Sequence, residues 1–167
     1  MDLIKTIFTQ LDIELARITD ERRAQDLSGL RALEVKVLGQ MSLIMDPAGR
    51  SLNLAATRDL DALILGDSLA TEALRGILKS NGMIYDELSM EVWLPDSAYF
   101  MPYHSTPNLV VSYLDPLSAL TSKAVKAKEK NRYLIREALS IFGNSLEEAI
   151  LRYGGEIDYF KHGDSEL

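Results

Sequence analysis

Thr57-Arg58-Asp59-Leu60-Asp61-Ala62-Leu63-Ile64 is the segment from which the rest of the chain is best interpreted. Its apolar half continues to Gly66, which is typical of a buried strand. Successive side chains on a strand point to opposite faces, so we expect Asp59 and Asp61 to share one face. Two adjacent carboxylates repel each other unless a cation lies between them. A hard ion such as Mg2+ binds carboxylate and phosphate oxygens together, so the pair predicts metal-assisted phosphoryl chemistry; a solvated strand edge is the plainer alternative.

The chain is acidic and has no cysteine. It contains 167 residues, of which 47% are hydrophobic and 26% are charged, and 25 acidic against 18 basic residues give a net charge of −7. This length and apolar content predict a single globular domain with a substantial core. The lack of cysteine excludes a disulfide framework, a zinc ribbon and a thiol nucleophile. The negative charge argues against broad, non-specific binding to nucleic acid or anionic membranes, although it leaves room for a local basic patch.

Export and membrane signals are not recognisable in the sequence. The first residues, Met1-Asp2-Leu3-Ile4-Lys5, lack the basic-then-apolar order of a signal peptide. No uninterrupted apolar run approaches the ~20 residues that span a bilayer. We therefore expect no membrane partner and a cytoplasmic location in a bacterium.

The periodicity of apolar residues, together with turn signals, predicts the order of the elements. Helices are expected over 2–20, 41–46, 68–80, 117–128, 132–142 and 146–152, strands over 33–38, 60–66, 88–94 and 109–114, and loops over 20–28 and 99–107. This order predicts a small α/β (α+β) domain. Its parts are a helical N-terminal segment (1–32), a sheet-bearing core (33–114), C-terminal helices (115–155) and a tail (156–167), which we expect to be loosely held after Phe160.

Four segments follow one another in a recognisable order. Val35-Lys36-Val37-Leu38-Gly39 is a strand that runs into a glycine, and the segment with two aspartates comes next. Met90-Glu91-Val92 places one carboxylate in the predicted third strand, and Leu117-Ser118-Ala119-Leu120-Thr121-Ser122-Lys123-Ala124 follows the strand 110–114. Across residues 33–140 this order resembles the nucleotidyltransferase superfamily of the DNA polymerase β type. The resemblance is to small bacterial proteins akin to toxin–antitoxin and abortive-infection nucleotidyltransferases.

The resemblance implies a fold, a reaction and a set of site residues. The fold would be a small mixed sheet flanked by helices. The reaction would be Mg2+-dependent transfer of a nucleotidyl group from an NTP to an acceptor hydroxyl of RNA or protein. By this resemblance Asp59 and Asp61 would be metal ligands, and Glu91 would be a third metal-binding carboxylate that helps deprotonate the acceptor. Gly39 and Gln40 would line the triphosphate, and Lys123 would contact phosphate. Asp96 is the rival of Glu91 for the third carboxylate.

Three positions depart from the family's pattern and support a second hypothesis. Gln40 stands where a second Gly or a Ser is usual, Ala55 where an Arg is frequent, and Lys130-Asn131 where a Lys-Asp pair is common. A catalytically decayed nucleotidyltransferase-like binding protein, paired with a cognate toxin or antitoxin protein, fits these departures. The retained Asp59 and Asp61 favour the enzyme.

Two further groups of residues have two interpretations each. One is a set of basic residues in the C-terminal helical part: Lys123, Lys126, Lys130, Arg132 and Arg136. Its lysines are spaced three and four apart, so the set would form either a helix face that contacts phosphate or RNA, or a solvated face. The other is the aromatic stretch 99–104, which would stack a nucleobase or, as we expect more often, pack over the sheet.

Overall fold

The computed structural model describes residues 2–162, which adopt a mixed α/β fold. The α-helices in this range are α1 (Leu3–Ala24), α2 (Gly39–Met45), α3 (Ser68–Ser80), α4 (Pro116–Lys126), α5 (Arg132–Phe142), α6 (Asn144–Arg152) and α7 (Ile157–Lys161). The strands are β1 (Leu33–Val37), β2 (Asp59–Leu65), β3 (Ile84–Asp86), β4 (Phe100–Ser105) and β5 (Leu109–Leu114), and short 3-10 helices cover Gly49–Ser51 and Glu87–Glu91. The predicted fold class, a small mixed sheet flanked by helices with a helical C-terminal part, is confirmed.

The chain divides into two compact units. The first contains Met1–Leu38, Thr57–Met90 and Met101–Tyr113, and the second contains Gly39–Ala56, Glu91–Phe100 and Leu114–Leu167. The first unit therefore holds α1, α3 and nearly all of the sheet, and the second holds α2 and the helices from α4 to α7. None of the helices within residues 2–162 combines the length and the apolar character that crossing a lipid bilayer requires.

The sheet of the first unit is mixed, with the strand order β3-β2-β1-β5-β4. β1 is antiparallel to β2 and parallel to β5, and β2 is parallel to β3. Alternate residues of the central strands are buried and form the core, namely Leu33, Val35, Val37, Leu60, Ala62, Leu109, Val111 and Tyr113. Phe8 of α1 packs against Tyr103 of β4, and Tyr103 packs against Tyr113, at ring-centre distances of 6.1 and 6.5 Å. α1 therefore covers this buried face.

The opposite face of the same sheet is called the open face below. Side chains alternate along each strand, and the pairing register places the intervening residues of neighbouring strands side by side. The open face comprises Glu34, Lys36, Asp59, Asp61, Leu63, Leu65, Ile84, Asp86, Val110 and Ser112. All of the charged residues of β1, β2 and β3 therefore fall on one side of the sheet.

α1 is longer than predicted, because its polar last turn makes contacts that a loop would not make. Arg17 pairs with Glu21 one turn later, at 2.5 Å. Thr19 is buried, and its hydroxyl accepts a hydrogen bond from Leu30 N at 3.2 Å. The loop predicted over 20–28 therefore begins only after Ala24.

The third strand of the sequence lies earlier and is shorter than predicted. Asp86 Oδ1 accepts a hydrogen bond from Leu88 N at 2.9 Å, which turns the chain into the 3-10 helix Glu87–Glu91. Ser89 is buried there, with its hydroxyl 3.1 Å from Ala62 N and 3.0 Å from Ala62 O. The Ser89 side chain thus forms the hydrogen bonds with Ala62 that a longer β3 would otherwise form with β2. The strand predicted over 88–94 is therefore wrong.

The stretch 99–107, predicted as a loop, contains the edge strand β4. β4 is the last strand in the sheet order, so one of its edges needs no partner and the missing N–H of Pro102 is tolerated. Thr106 closes the turn to β5, because its N–H donates to Leu109 O at 2.9 Å and its hydroxyl accepts from Leu109 N at 3.1 Å. The loop prediction is wrong for this strand.

The second unit is built mainly from short helices with an apolar core. Asp115 caps α4 by accepting a hydrogen bond from Ser118 N at 3.0 Å, and Gly143, with a φ of 59°, separates α5 from α6. α7 (Ile157–Lys161) lies in the predicted tail segment 156–167, for which no helix was predicted. The rest of the predicted tail, from residue 163 onward, lies outside the described residues.

Candidate functional site

Asp59 and Asp61 lie on the open face of β2, as the alternation of the sequence predicts. Asp59 is exposed and Asp61 is half-buried. The intervening Leu60 and the following Ala62 are buried on the other face, which anchors the strand to the core. The backbone N–H of Leu38 donates to Asp61 O at 2.7 Å, so the pairing with the β1 segment continues to this residue. The two carboxylates therefore stand on a well-paired strand.

Asp86 on β3 is a third carboxylate of this face, and sequence reasoning missed it. Asp61 and Asp86 are register partners on adjacent parallel strands, and Asp59 has Ile84 as its partner. Neighbouring strands are about 4.8 Å apart, so Asp61 and Asp86 are lateral neighbours on one side of the sheet. The signal in the sequence was the short run Met83-Ile84-Tyr85-Asp86 after the turn at Gly82, which is too short to show a period.

The position of β3 is supported by a cation beside it. Arg75 of α3 lies over the ring of Tyr85 at 5.2 Å from its centre, and its Nη1 pairs with Glu87 Oε1 at 2.5 Å. The Tyr85 hydroxyl donates to Ala62 O at 3.2 Å, which ties β3 to the centre of β2. These contacts fix the residues on both sides of Asp86.

The donor set of the three aspartates fits a hard cation. Carboxylate oxygens without histidine or cysteine are the ligands that Mg2+ prefers, commonly together with phosphate and water. No three His, Asp or Glu side chains within residues 2–162 are grouped as a ready-made metal centre. The register places the three aspartates on one face of the sheet.

The other predicted site residues belong to the second unit. Gly39 begins α2 with a φ of 60°, a left-handed conformation that favours glycine, and the Gln40 amide donates to Ala55 O. Glu91 is the exposed last residue of a 3-10 helix, and Lys123 is half-buried on α4. The structure brings together Gln40 and Ala55, two of the positions that depart from the family's pattern.

Asp96, the rival for the third carboxylate, also lies in the second unit and has a specific partner there. The Tyr153 hydroxyl donates to Asp96 Oδ1 and lies 3.0 Å from Ser97 Oγ. This hydrogen bond holds the pKa of Asp96 below its ordinary value. The Tyr153 ring packs edge-on against Trp93, with ring centres 5.6 Å apart. Asp96 therefore takes part in an aromatic contact of the second unit.

The single basic helix face predicted from the sequence is not formed. α4 ends at Lys126, so Lys130 lies in the following turn rather than on that helix. Arg132 Nε donates to Tyr159 O at 3.2 Å, and Arg136 Nε donates to Phe160 O at 2.7 Å. The two arginines of the set therefore bind backbone carbonyls within the second unit.

The aromatic stretch 99–104 divides between packing and exposure. Tyr103 packs against α1, which confirms the packing interpretation for this ring. His104 Nε2 lies 3.0 Å from Asp12 Oδ2 of α1, and Thr106 donates to Asp12 Oδ1 at 2.7 Å. Tyr99 is 58% exposed.

No known family model matches the chain, and neither a curated protein nor a solved structure is significantly similar to it. The resemblance to nucleotidyltransferases therefore stays a prediction from the sequence, and the function has to be argued from the site itself.

Proposed function

We propose that the protein is a Mg2+-dependent nucleotidyltransferase that moves a nucleotidyl group from an NTP to an acceptor hydroxyl of RNA or protein. One observation carries the proposal. Asp59 and Asp61 of β2 and Asp86 of β3 occupy one face of the sheet, with Asp61 and Asp86 in register. Carboxylates on adjacent strands at this spacing repel one another without a cation, and they match the ligand preference of Mg2+.

The proposed reaction is an in-line displacement at phosphorus. The acceptor oxygen forms a bond to the α-phosphorus, the bond from that phosphorus to the bridging oxygen of the β-phosphate breaks, and pyrophosphate leaves. When bound, Mg2+ would neutralise charge on the triphosphate and on the leaving pyrophosphate. Asp59 and Asp61 would hold the metal, and Asp86 would orient the acceptor and take its proton on the way to solvent.

Asp86 takes the third role in this proposal because it lies on the strand next to Asp61. Glu91 was assigned that role on the expectation that it lies on a strand, and it ends a 3-10 helix instead. Glu91 remains the alternative. The triphosphate contacts of Gly39, Gln40 and Lys123 and a cytoplasmic location stay predictions.

Binding of nucleotide and metal is the direct test. We expect Mg2+ with a non-hydrolysable NTP to raise the melting temperature of the wild type, since a ligand of the native state stabilises it. Asp61→Asn and Asp86→Asn should abolish the shift, and transfer of label from an α-labelled NTP should fall by at least about a hundredfold, as expected for lost electrostatic catalysis. Glu91→Gln tests the alternative third carboxylate, and Glu148→Gln and Asp158→Asn, at exposed positions of α6 and α7, are the matched controls. A wild type that neither binds nor transfers, or aspartate variants that behave like the controls, would show the proposal to be wrong.

A second candidate is the catalytically decayed binding protein. It is favoured by the contact of the Gln40 side chain with Ala55 O, because both residues differ from the family's pattern and they hold each other in place. This candidate predicts a stable complex with a cognate toxin or antitoxin protein and no effect of Mg2+ and NTP on the melting temperature. Restoring Gly at position 40 would then leave nucleotide affinity absent.

A further inference from the structure

Exposed aliphatic side chains lie beside the charged residues of the open face. Leu65 is 69% exposed and Val110 is 37% exposed, and both are register partners of Glu34, which lies between them. At the other end of β2, Ile84 is 67% exposed and is the partner of Asp59. Exposed apolar side chains beside charged residues on one surface are typical of a place where another molecule binds.

The charge of the open face is negative. It has four carboxylates, Glu34, Asp59, Asp61 and Asp86, and one ammonium group, that of Lys36. Lys36 Nζ lies 3.5 Å from Glu34 Oε1, and four carboxylates against one ammonium group leave the face with an excess of negative charge. RNA and anionic lipid would be repelled by such a face, whereas Lys and Arg side chains would be attracted to it.

The net charge of the chain also argues against a second copy of itself as the occupant. The whole chain carries −7, and a symmetric contact would bring the same acidic surface together twice. The size of the face points the same way. It extends about 20 Å along β2 and about 14 Å across four strands, which is about a third of the ~800 Å2 that each partner buries in a standard interface. A short segment fits this area better than a folded domain.

We propose that the open face docks a short basic segment of a partner protein. Its aliphatic side chains would cover Leu65, Val110 and Ile84, and its Lys or Arg side chains would face the carboxylates. The docking needs no nucleotide and so goes beyond the proposed function. If the transferase activity is real, the same contact makes a protein rather than RNA the acceptor, and this extension alone rests on the proposed function.

Fluorescence anisotropy with defined probes tests the docking in EDTA and without nucleotide. The probes are a short labelled peptide of alternating Lys and Leu, the same peptide with Glu in place of Lys, and an RNA oligonucleotide of similar length. We expect the basic peptide to bind the wild type and the other two probes to bind at least about tenfold more weakly. Leu65→Lys with Val110→Lys should weaken binding of the basic peptide by about tenfold or more.

A matched double variant separates the face from the overall charge. Ile13→Lys with Leu151→Lys adds the same charge at exposed apolar positions on helices, 68% and 54% exposed, and should leave peptide binding unchanged. Urea unfolding shows whether the two added lysines unfold the strands. If they do, Leu65→Ser with Val110→Ser replaces the lysine pair in the binding measurement. Absence of peptide binding, equal weakening by both lysine pairs, or tighter binding of RNA would overturn the proposal. None of these outcomes depends on Mg2+ or NTP, so failure of the docking and failure of the transferase are distinguishable.

Discussion

Charged residues have different roles on the open face of the sheet and at the contact between α5 and α7. Arg132 of α5 is 9% exposed, and its Nε and Nη2 donate to Tyr159 O and His162 O at 3.2 and 3.0 Å. This cation holds the end of a helix. Asp59 on the open face is exposed, and within residues 2–162 its carboxylate makes no hydrogen bond or ion pair. One charge is a structural part of the second unit, while the other is available to a ligand.

The difference shows that burial, rather than charge or spacing, identifies the charges that hold the structure together. The arginines of the C-terminal helical part and the aspartates of β2 both have regular spacing in the sequence. A buried charge must be hydrogen-bonded within the protein, because leaving it unpaired costs several kcal/mol. An exposed carboxylate has no such requirement. Removing a buried charge should therefore cost more stability than removing an exposed one.

Arg132→Met should give the largest loss. The substitution keeps the apolar contact but removes the charged donor to two carbonyls, and hydrogen bonds to charged groups contribute about 1.5–3 kcal/mol each. We expect the free energy of unfolding in urea to fall by about 2–4 kcal/mol. Arg152→Met, at an exposed position of α6, is the control and should change it by less than about 0.5 kcal/mol. Equal effects of the two substitutions would remove the contrast.

Ser89→Ala tests the same rule in the first unit. Ser89 is 1% exposed, and its hydroxyl is the partner of Ala62 N at the edge of β2. Removing the hydroxyl leaves a buried N–H unsatisfied, which costs about 1–3 kcal/mol. Ser80→Ala, at an exposed position near the end of α3, should cost less than about 0.5 kcal/mol by the same urea measurement. If Ser89→Ala lowers the free energy of unfolding no more than Ser80→Ala does, water must replace the hydroxyl as the partner of Ala62 N.

The parts of the fold that depend on local patterns were predictable, and those that depend on pairing were not. α3 was predicted over 68–80 and found there, because its apolar residues recur at helical spacing and Gly82, with a φ of 73°, ends it. β3 has three residues, which is too short for a period to show, and it exists because β2 pairs with it. Asp86 could therefore be recognised as a candidate site residue only from the register of the two strands.

The same limit explains why β4 and α7 were not predicted. Pro102 argued for a loop over 99–107, and only the place of β4 at the sheet edge makes a proline acceptable there. α7 has five residues, and its end is held by Arg132 and Arg136, which are distant in sequence. The pair Asp59 and Asp61 was predictable, because two positions on one strand face are set by spacing alone.

Acid should lower the stability of the second unit through Asp96. The loss should be smaller than that caused by Arg132→Met or Ser89→Ala. The Tyr153 hydroxyl holds the pKa of Asp96 below its ordinary value. Because the pKa of the folded state is lowered, the contact stabilises the protein above the unfolded-state pKa of about 3.9, and the gain is lost as the pH falls through the folded-state value. Tyr153→Phe should flatten the decline of unfolding free energy between about pH 5 and pH 3, with Tyr133→Phe, 65% exposed, as the control. Identical pH profiles of the wild type and Tyr153→Phe would contradict the assignment.

Asp59→Asn should have the smallest effect on stability and a clear effect on ligand response. The carboxylate is exposed and makes no structural contact within residues 2–162, so the free energy of unfolding should change by less than about 0.5 kcal/mol. The rise in melting temperature with Mg2+ and a non-hydrolysable NTP should nevertheless disappear, because the asparagine amide lacks the charge that holds the cation. Urea unfolding and thermal unfolding of the same sample separate the two quantities. A stability loss as large as that of Ser89→Ala would place Asp59 among the structural charges, and the contrast between the open face and the α5–α7 contact would then fail at its centre.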